Sequence, residues 1–335
     1  MIKLATIKDV AKLANVSIAT VSAVINKDSG VKVSDKLTRK VEKAINELNY
    51  RPNRIARALS RKETLVLAYI VPSITNEFFP QLAKAVEDLA FKKGYGVYLC
   101  NTEGKVDRAR YYLESLIENR VAGVITSLTW EIEEVNFIDH LQDENIPIVG
   151  MAGARTSKKI DTIIPDDMEG GRLAVRHLVE KGYRNIGFIG INDSQTTNER
   201  LKGYRQALVE AGLNYQEDFI KFCKSFRYEE VIAIVQKMIS QNPEIDALFV
   251  YNDLMGSVII DGLRQIGKKI PGDIALVGFD DSVASFTFPK LTTMSIPKSR
   301  MADLAMDILF KRINRDTTAP VHIKISPELI VRNTS

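Results

Sequence analysis

Two polar residues that could bind a ligand each come directly after a predicted strand. Asn252 follows the apolar run Ala247 to Tyr251, and Asp280 follows the run Ile274 to Phe279. Residues at the carboxyl ends of strands line the ligand sites of α/β sheets, and an amide and a carboxylate suit hydrogen bonding to a small polar molecule. Capping of the following helix or turn is the alternative for both residues.

The residue types needed for catalysis are not combined in a usable spacing. The three histidines are scattered, which supports neither a Ser-His-Asp triad nor a metal site. Phosphate-binding glycine motifs are missing, and the adjacent acids Asp280 and Asp281 cannot approach a substrate from two sides as a general acid and base do. Cys100 and Cys223 are isolated, which predicts reduced cysteines in the core. We therefore expect no enzymatic activity and no cofactor.

The elements that must position Asn252 and Asp280 alternate between strand and helix from Leu65 onward. Such alternation is typical of parallel βαβ units with right-handed crossovers, and it occurs twice in succession. The first set has predicted strands at 65–71, 96–100, 122–126 and 146–150, with helices at 78–93, 105–120 and 131–144. The second set has strands at 162–164, 186–191, 247–251 and 274–279, with helices at 170–180, 198–211, 228–240 and 254–266. An α/β core of two doubly wound parallel-sheet lobes, arranged as a clamshell, is predicted.

The N-terminal residues carry a different pattern, which predicts two short helices joined by a tight turn. Thr6 can cap the first helix in a capping box with Asp9, and apolar residues follow at helical spacing. Asn15 stands where the turn requires a positive φ, and Ser17 can cap a second helix that runs to Asn26. This is typical of a helix-turn-helix, whose second helix enters the DNA major groove. An amphipathic hairpin that only packs is the alternative.

Charge separates this N-terminal segment from the rest of the chain. Residues 1–63 contain 14 Lys and Arg against 6 Asp and Glu, a balance of +8, whereas the remainder has 32 against 36, a balance of −4. A basic segment that coincides with a helix-turn-helix favours nucleic-acid binding. No apolar run is long enough to span a membrane and no apolar signal segment is evident, so we expect a cytoplasmic protein.

Two further helices are predicted within the basic segment. Ser34 can cap a third helix, which would complete a small all-α headpiece over residues 1–50. Pro52 interrupts it and begins a short helix from Asn53 to about Ser60, which is too short to be stable alone in water. Leu59 lies on the apolar side of this arginine-rich helix.

Six motifs occur along the chain in a characteristic order. They are TIKDVAKLANVSIATVSAVIN at 6–26, RPNRIARAL at 51–59, NEFFPQLAKAVEDLA at 76–90, NERLKGYRQAL at 198–208, YNDLMGSV at 251–258 and VGFDDSVASFTFPKLTT at 277–293. Together they resemble the lactose/galactose repressor family of bacterial transcription regulators over essentially the whole chain. The resemblance implies a headpiece at 1–50, a hinge helix and linker at 51–63, a first effector-binding lobe at 64–160 and 290–335, and a second lobe at 161–289. It also implies that a late helix at 301–315 crosses back to the first lobe.

The resemblance assigns operator contacts to the headpiece and the hinge helix. Ile18, Ala19 and Ala23 match positions that face base edges, and this chain departs from the commoner arginine at Ala23. Leu59 matches the residue that wedges into the central base step from the minor groove and kinks the duplex, with packing inside a linker as the alternative. The DNA-binding residues predicted in full are Thr6, Ile7, Ser17, Ile18, Ala19, Thr20, Ser22, Ala23, Asn26, Tyr50, Asn53, Ala56 and Leu59.

The resemblance also assigns an effector site between the lobes. Arg200 matches an arginine that reaches the effector, and Asn252 and Asp280 match positions that hydrogen-bond it. Phe79 and Phe226 match aromatic positions that line or stack on it. An aromatic face with these polar groups suits a sugar, a sugar phosphate or a nucleobase. Core packing for the two rings and a surface salt bridge for Arg200 are the alternatives.

These observations together predict a sequence-specific transcription regulator that represses carbohydrate genes, binds a palindromic operator as a homodimer and responds to a small-molecule effector. No trailing leucine heptad is present to build a tetramer. Asp167 stands where the family often has asparagine, a departure that bears on the identity of the effector and not on the fold. A global regulator controlled by a protein partner, a sugar-binding transport protein and an enzyme on a doubly wound scaffold remain as alternatives.

Overall fold

The computed structural model describes residues 5–25, 33–50, 64–153 and 157–335. The chain divides into two compact units, Met1–Thr64 and Leu65–Ser335, and each has a hydrophobic core of its own. The predicted hinge helix at 51–63 lies outside the described residues, as do four predicted DNA contacts: Asn26, Asn53, Ala56 and Leu59.

The smaller unit, as far as it is described, consists of three helices that bury their inner faces against one another. They are α1 (Ile7–Ala14), α2 (Ile18–Ile25) and α3 (Asp35–Glu47). Their buried residues form one core, namely Val10, Ala11, Ala14, Val21, Val24, Val41 and Ala44. Because one apolar stripe per helix is enough to build this core, the opposite faces remain open to solvent.

The predicted caps of the smaller unit can be compared directly with the structure. The Asp9 amide donates to the Thr6 hydroxyl and the Thr6 amide donates to the Asp9 carboxylate at 2.8 Å, so the capping box is confirmed. Asn15 has φ 50, the left-handed backbone that the turn requires. Ser34 is the N-cap residue of α3, as predicted, but its side chain forms no capping hydrogen bond.

The larger unit is built from strands that alternate with helices. The strands are β1 (Val66–Val71), β2 (Gly96–Asn101), β3 (Gly123–Thr126), β4 (Ile148–Met151), β5 (Asp161–Pro165), β6 (Ile186–Ile191), β7 (Ile220–Cys223), β8 (Ala247–Val250), β9 (Ala275–Asp280), β10 (Thr292–Ser295), β11 (His322–Ile325) and β12 (Glu328–Ile330). The helices are α4 (Phe78–Lys92), α5 (Val106–Glu118), α6 (Trp130–Glu134), α7 (Phe137–Asp143), α8 (Asp167–Glu180), α9 (Gln195–Glu210), α10 (Tyr228–Gln241), α11 (Asp253–Gln265) and α12 (Lys298–Ile313), and single 3₁₀ turns occur at Glu217–Phe219 and Ala284–Phe286.

The strands form two sheets, and each sheet is the centre of one lobe. The first sheet has the order β11-β5-β4-β3-β1-β2 and its pairings are parallel. The second has the order β12-β10-β9-β8-β6-β7 and is parallel except for the β10–β12 pair. Central strands such as β8 are buried along their whole length, as expected for parallel sheets covered on both faces. The predicted fold class is thereby confirmed.

Three strands belong to the sheet opposite to the one that the prediction gave them. β5 was predicted to open the second lobe, yet it pairs with β4 from Val149 opposite Asp161, and the chain leaves the first sheet only after Pro165. β10 and β12 fall in segments predicted for the first lobe, but they pair within the second sheet. The alternation of strands and helices does not state which sheet a strand joins, because that depends on long-range pairing. The predicted helix at 131–144 is also wrong as one element, since Asn136 has φ 48 and separates α6 from α7.

Helix α12 follows β10 of the second sheet but packs on the first lobe. A Cβ at Gly123 of β3 would press on the Leu309 side chain, and the rings of Tyr95 and Phe310 meet edge to face at 5.2 Å. The predicted crossing of this helix back to the first lobe is therefore confirmed.

Helices α8 and α9 of the second lobe approach each other closely because glycines stand at their contact. A Cβ at Gly203 would overlap the carbonyl oxygen of Met168, and one at Gly171 would overlap the carbonyl oxygen of Arg200. The close approach brings Asp167, in the first turn of α8, against the side chain of Arg200 on α9.

Candidate functional site

The outer face of α2 is small, exposed and uncharged. Ser17, Ile18 and Ala19 are exposed at its start, with Ile18 at 45% of its accessible surface. The Thr20 amide donates to the Ser17 hydroxyl at 3.0 Å, so Ser17 caps this helix as predicted. A helix with this face can approach a partner surface closely, as recognition helices do in the major groove.

Other predicted DNA contacts in the smaller unit are less accessible. Ala23 is only 9% exposed, so the predicted outward side chain is wrong. Ile7 and Tyr50 are partly buried against the helical core, and Thr20 and Ser22 are half-buried. Thr6 is exposed, but its hydroxyl is engaged by Asp9.

Arg200 is the centre of the candidate ligand site in the larger unit. Its guanidinium is 4% exposed and donates from Nε to Asp167 at 2.8 Å, from Nη1 to the Tyr251 carbonyl, and from Nη2 towards Asp280 at 3.5 Å. The guanidinium also stacks on the Phe279 ring, with Cζ 3.5 Å from the ring centroid. The predicted alternative of a surface salt bridge is wrong, because this ion pair is buried.

Asn252 combines a capping role with a free donor. Its Oδ1 accepts from the Met255 amide at 3.0 Å, so it caps α11. Its Nδ2 is buried and forms no hydrogen bond of good geometry within the described chain. Burial raises the pKa of the neighbouring Asp280, and the Asn252 amide opposes that shift. The capping alternative is thus true of one atom of this side chain, while the other atom remains available to a ligand.

The backbone at the end of β9 is held in an uncommon conformation. Asp280 has φ 96 and Asp281 has φ 49, values that favour glycine and are found at ligand sites when the surroundings enforce them. Lys298 Nζ enforces the turn by donating to the carbonyl oxygens of Asp280 at 2.5 Å and Asp281 at 3.2 Å. The same ammonium lies 5.8 Å from the centroid of the Phe78 ring in the first lobe.

The two predicted aromatic residues lie on different lobes. Phe226 meets the Tyr251 ring at 5.5 Å, next to Arg200, which lies 5.0 Å from the same Tyr251 ring. Phe79 is partly buried and meets Phe78 edge to face at 5.2 Å. Arg200, Asn252, Asp280 and Phe226 are therefore together, whereas Phe79 contacts Phe78, whose ring lies near Lys298.

Burial dominates the electrostatics of the group. It raises the pKa of Asp167 and of Asp280, and the ion pairs with Arg200 oppose this shift. Burial and the charge of Asp280 raise the pKa of Asp253 to about 7. Asp253 accepts from the Ser282 amide at 2.7 Å and from the Thr293 hydroxyl at 2.5 Å, which ties the start of α11 to the loop after β9 and to β10.

The first lobe presents a smaller polar group at the carboxyl ends of its strands. The Thr102 hydroxyl, just after β2, donates to Glu131 Oε1 of α6 at 2.8 Å. Glu131 is buried, and its Oε2 has no hydrogen-bond partner in the described part of the chain; the same holds for Oδ1 of Asn101. No signal in the sequence pointed to Glu131, because the run WEIEE reads as an exposed helix start.

Further participants were missed for identifiable reasons. Tyr251 contributes through its backbone carbonyl, which no sequence pattern reveals, and Phe279 reads as a plain core residue of β9. Lys298 is the first residue of α12, the helix that crosses back to the first lobe, and its position in the sequence does not indicate a contact with Asp280. Asp167 was noticed only as a departure from the common asparagine.

The comparisons with known proteins cover nearly the whole chain. Residues 6–53 match the model of bacterial regulatory proteins of the lacI family, and residues 175–335 match the periplasmic binding protein-like domain. The transcriptional repressor PurR of Aliivibrio salmonicida (strain LFI1238) is 36% identical over 98% of this chain and 98% of its own length. The ribose operon repressor of Escherichia coli (strain K12) is 36% identical over 99% and 100%, respectively.

The chain belongs to the lacI family of bacterial regulatory proteins. Within this family, the Lac repressor dimer bound to operator and the anti-inducer ONPF has a TM-score of 0.87 at 26% identity, covering 99% of each chain. The complex of the transcriptional regulator CelR with cellobiose has a TM-score of 0.73 at 29% identity, covering 99% of this chain and 100% of its own. The protein is a DNA-binding transcriptional regulator, and its described residues contain no helix long and apolar enough to cross a membrane.

Proposed function

We propose that this regulator is a homodimeric repressor whose two headpieces bind the halves of a palindromic operator. A sugar bound between the lobes controls the affinity of the repressor for this operator. The observation that carries the proposal is the buried Arg200 group at the carboxyl ends of the second sheet, in a chain that also has a helix-turn-helix. Parallel sheets bind ligands at this edge.

The DNA-binding half rests on α2. Its first exposed residues, Ser17, Ile18 and Ala19, offer a hydroxyl and two apolar groups to a groove. Apolar groups read thymine methyls, and the remaining sequence preference then comes from DNA shape. Asn53, Ala56 and Leu59 remain predicted contacts of the hinge segment.

The effector half rests on the contacts between the lobes. Gln81 of α4 donates to the Ser282 carbonyl at 3.1 Å, and Lys298 lies between the Phe78 ring and the carbonyl of Asp280. A ligand bound at this edge alters the closure of one lobe on the other. If operator and ligand prefer different closures, each changes the affinity for the other by the same factor. The printed names of two relatives, a ribose operon repressor and a cellobiose complex, favour a sugar.

The homodimer is supported by apolar side chains on the surface of the larger unit. Phe286 and Phe288 are 86% and 95% exposed and border a cavity of about 340 Å³ that Leu254 and Ile260 also line. Tyr98 and Leu99 are about half exposed on β2, which is an edge strand. Large apolar side chains exposed in this way are typical of interfaces, and the related Lac repressor is described as a dimer.

Selection of duplexes from a random pool by the full-length protein tests the proposal. We expect a twofold-symmetric sequence to be enriched and its affinity to change with one of a panel of sugars. Ile18→Asp should weaken that binding by at least about tenfold, because it adds a negative charge to the DNA-facing helix. Leu37→Asp, at an exposed apolar position on α3, is the matched control and should bind nearly as the wild type. Enrichment of no palindrome at moderate ionic strength would refute the proposal.

A further inference from the structure

Arg200 is not free to bind an anion. An arginine that recognises a phosphate or carboxylate usually offers a bidentate fork and a full positive charge. Here Nε is used by Asp167, Nη1 by the Tyr251 carbonyl, and Nη2 faces Asp280. Both carboxylates are buried, so their charge acts on the guanidinium with little screening by water.

The charges around Arg200 sum to an excess of acids. Lys298 is the second cation of the group, and it is directed at the carbonyl oxygens of Asp280 and Asp281. Asp281 is itself paired with Arg332 at 2.6 Å. Asp253 adds a third buried acid next to Asp280. Arg200 therefore faces Asp167 and Asp280, and Lys298 faces Asp280 and Asp253, so neither cation is left free for a phosphate.

The unsatisfied polar atoms point to the same kind of ligand. Within the described residues, the buried side-chain atoms without a hydrogen bond include Asn101 Oδ1 and Glu131 Oε2 at the carboxyl edge of the first sheet, and Asn252 Nδ2 and Ser282 Oγ at that of the second. A carbonyl or carboxylate oxygen needs a donor, which a sugar hydroxyl supplies and a fully ionised phosphate does not. A hydroxyl group can also accept from Asn252.

We propose that this site, which rests on the effector role proposed above, selects uncharged, hydroxyl-bearing effectors and excludes phosphorylated ones, and that Asp167 sets this selectivity by neutralising Arg200. Asparagine at this position would keep a hydrogen bond to Arg200 while removing the charge. Arg200 would then present its positive charge to the cleft. Glu131 acts from the other lobe by offering an acceptor that repels anions.

The test compares uncharged sugars with their phosphate esters on the full-length protein, using D-ribose with D-ribose 5-phosphate, D-glucose with D-glucose 6-phosphate, and inorganic phosphate. Binding is measured by calorimetry and by the ligand-induced rise in melting temperature. We expect neither inorganic phosphate nor either ester to bind the wild type. Asp167→Asn should gain affinity for phosphate or an ester by at least about tenfold, which corresponds to about 1.4 kcal/mol.

Two variants show that any gain passes through Arg200. The double variant Asp167→Asn with Arg200→Met should lose the gained affinity. Asp166→Asn is the matched control, because it removes a carboxylate one residue away while asparagine still caps α8. It should bind phosphate no better than the wild type. Asp167→Ser serves as a second variant if circular dichroism shows that Asp167→Asn is misfolded.

The outcomes separate this inference from the proposed function. Binding of inorganic phosphate or of either ester to the wild type, or no gain in the Asp167 variants, would overturn the selectivity assigned to Asp167. Failure of every uncharged sugar to change operator affinity would instead contradict the sugar effector, because the phosphate comparison depends only on Asp167 and Arg200.

Discussion

An Arg–Asp ion pair with a buried carboxylate is present in each lobe of the larger unit, Arg312–Asp161 in the first and Arg200–Asp167 in the second, and the two pairs are built differently. In the first lobe, Arg312 grips Asp161 with two hydrogen bonds of 2.8 and 2.9 Å, and Asp161 also accepts from the Val321 amide. In the second lobe, Arg200 makes a single bond of 2.8 Å to Asp167. The Arg312 side chain is 16% exposed, whereas Arg200 is 4% exposed.

The positions of the pairs explain the difference. Asp161 is the first residue of β5, so its pair lies at the amino edge of the first sheet and joins β5, β11 and α12. Asp167 and Arg200 lie at the carboxyl edge of the second sheet, where ligands bind. Although burial opposes it, hydrogen bonding to Arg312 lowers the pKa of Asp161, whereas burial raises the pKa of Asp167. The first pair acts as a structural clamp and the second retains hydrogen-bonding capacity for a ligand.

Removal of each arginine should separate the two pairs most strongly. Arg200→Met leaves Asp167 buried without its cation, and leaves Asp280 only Lys298, so it should lower the free energy of unfolding by about 3–5 kcal/mol. Arg312→Met should cost about 2 kcal/mol, because water reaches the remaining Asp161 more easily. Urea unfolding followed by circular dichroism measures both.

The double variant Arg200→Met with Asp167→Leu is the control for this first prediction. Replacing both charges by apolar groups removes the unpaired carboxylate, so it should recover a large part of the loss. Equal losses in Arg200→Met and Arg312→Met would show that the two pairs do not differ in the way described.

The glycines at the α8–α9 contact provide the second way to disturb the carboxyl-edge pair. Gly203→Ala places a methyl group on the Met168 carbonyl and should cost about 3 kcal/mol, since backbone must move to admit it. Effector response should be lost with it, because Asp167 and Arg200 are pushed apart. Gly96→Ala, at a position of β2 with no atom within 4 Å of the added methyl, is the matched control in the first lobe and should change stability by less than about 0.5 kcal/mol. Similar losses in both variants would contradict this explanation.

The acids of the two lobes should respond to pH with opposite signs. The pKa of Asp253 is about 7 in the folded protein, which lies above its value in the unfolded chain. Ionisation of Asp253 therefore lowers the free energy of unfolding as pH rises. Asp253→Asn should therefore gain about 2 kcal/mol on the wild type between about pH 5 and pH 7. The pKa of Asp161 is lowered on folding, so the stability it contributes is present at neutral pH and is lost as pH falls. Asp161→Asn should thus be most destabilised, relative to the wild type, at neutral pH, and parallel pH profiles for the two variants would contradict the assignment.

Much of the fold could be read from local patterns. The capping box of Thr6 and Asp9, the turn at Asn15 and the strand runs of both lobes depend on residues a few positions apart, and the structure confirms them. The membership of β5 in the first sheet could not be read in this way, because it depends on pairing with β4 and β11, and the alternation of strands and helices does not specify pairing partners.

The properties of the candidate site can likewise be separated into those that the sequence predicts and those that only the tertiary structure shows. Its motifs, composition and charge by themselves determined a helix-turn-helix regulator with two parallel-sheet lobes, and they identified Arg200, Asn252 and Asp280 as polar residues of one site. Only the tertiary structure decided that Asp167 neutralises Arg200, that Lys298 holds the turn at Asp280, and that Glu131 is buried with an unused oxygen. These properties arise from burial and from contacts between residues that are far apart in the sequence, such as Asp167 and Arg200, which are 33 positions apart. Local spacing encodes neither the burial nor such contacts.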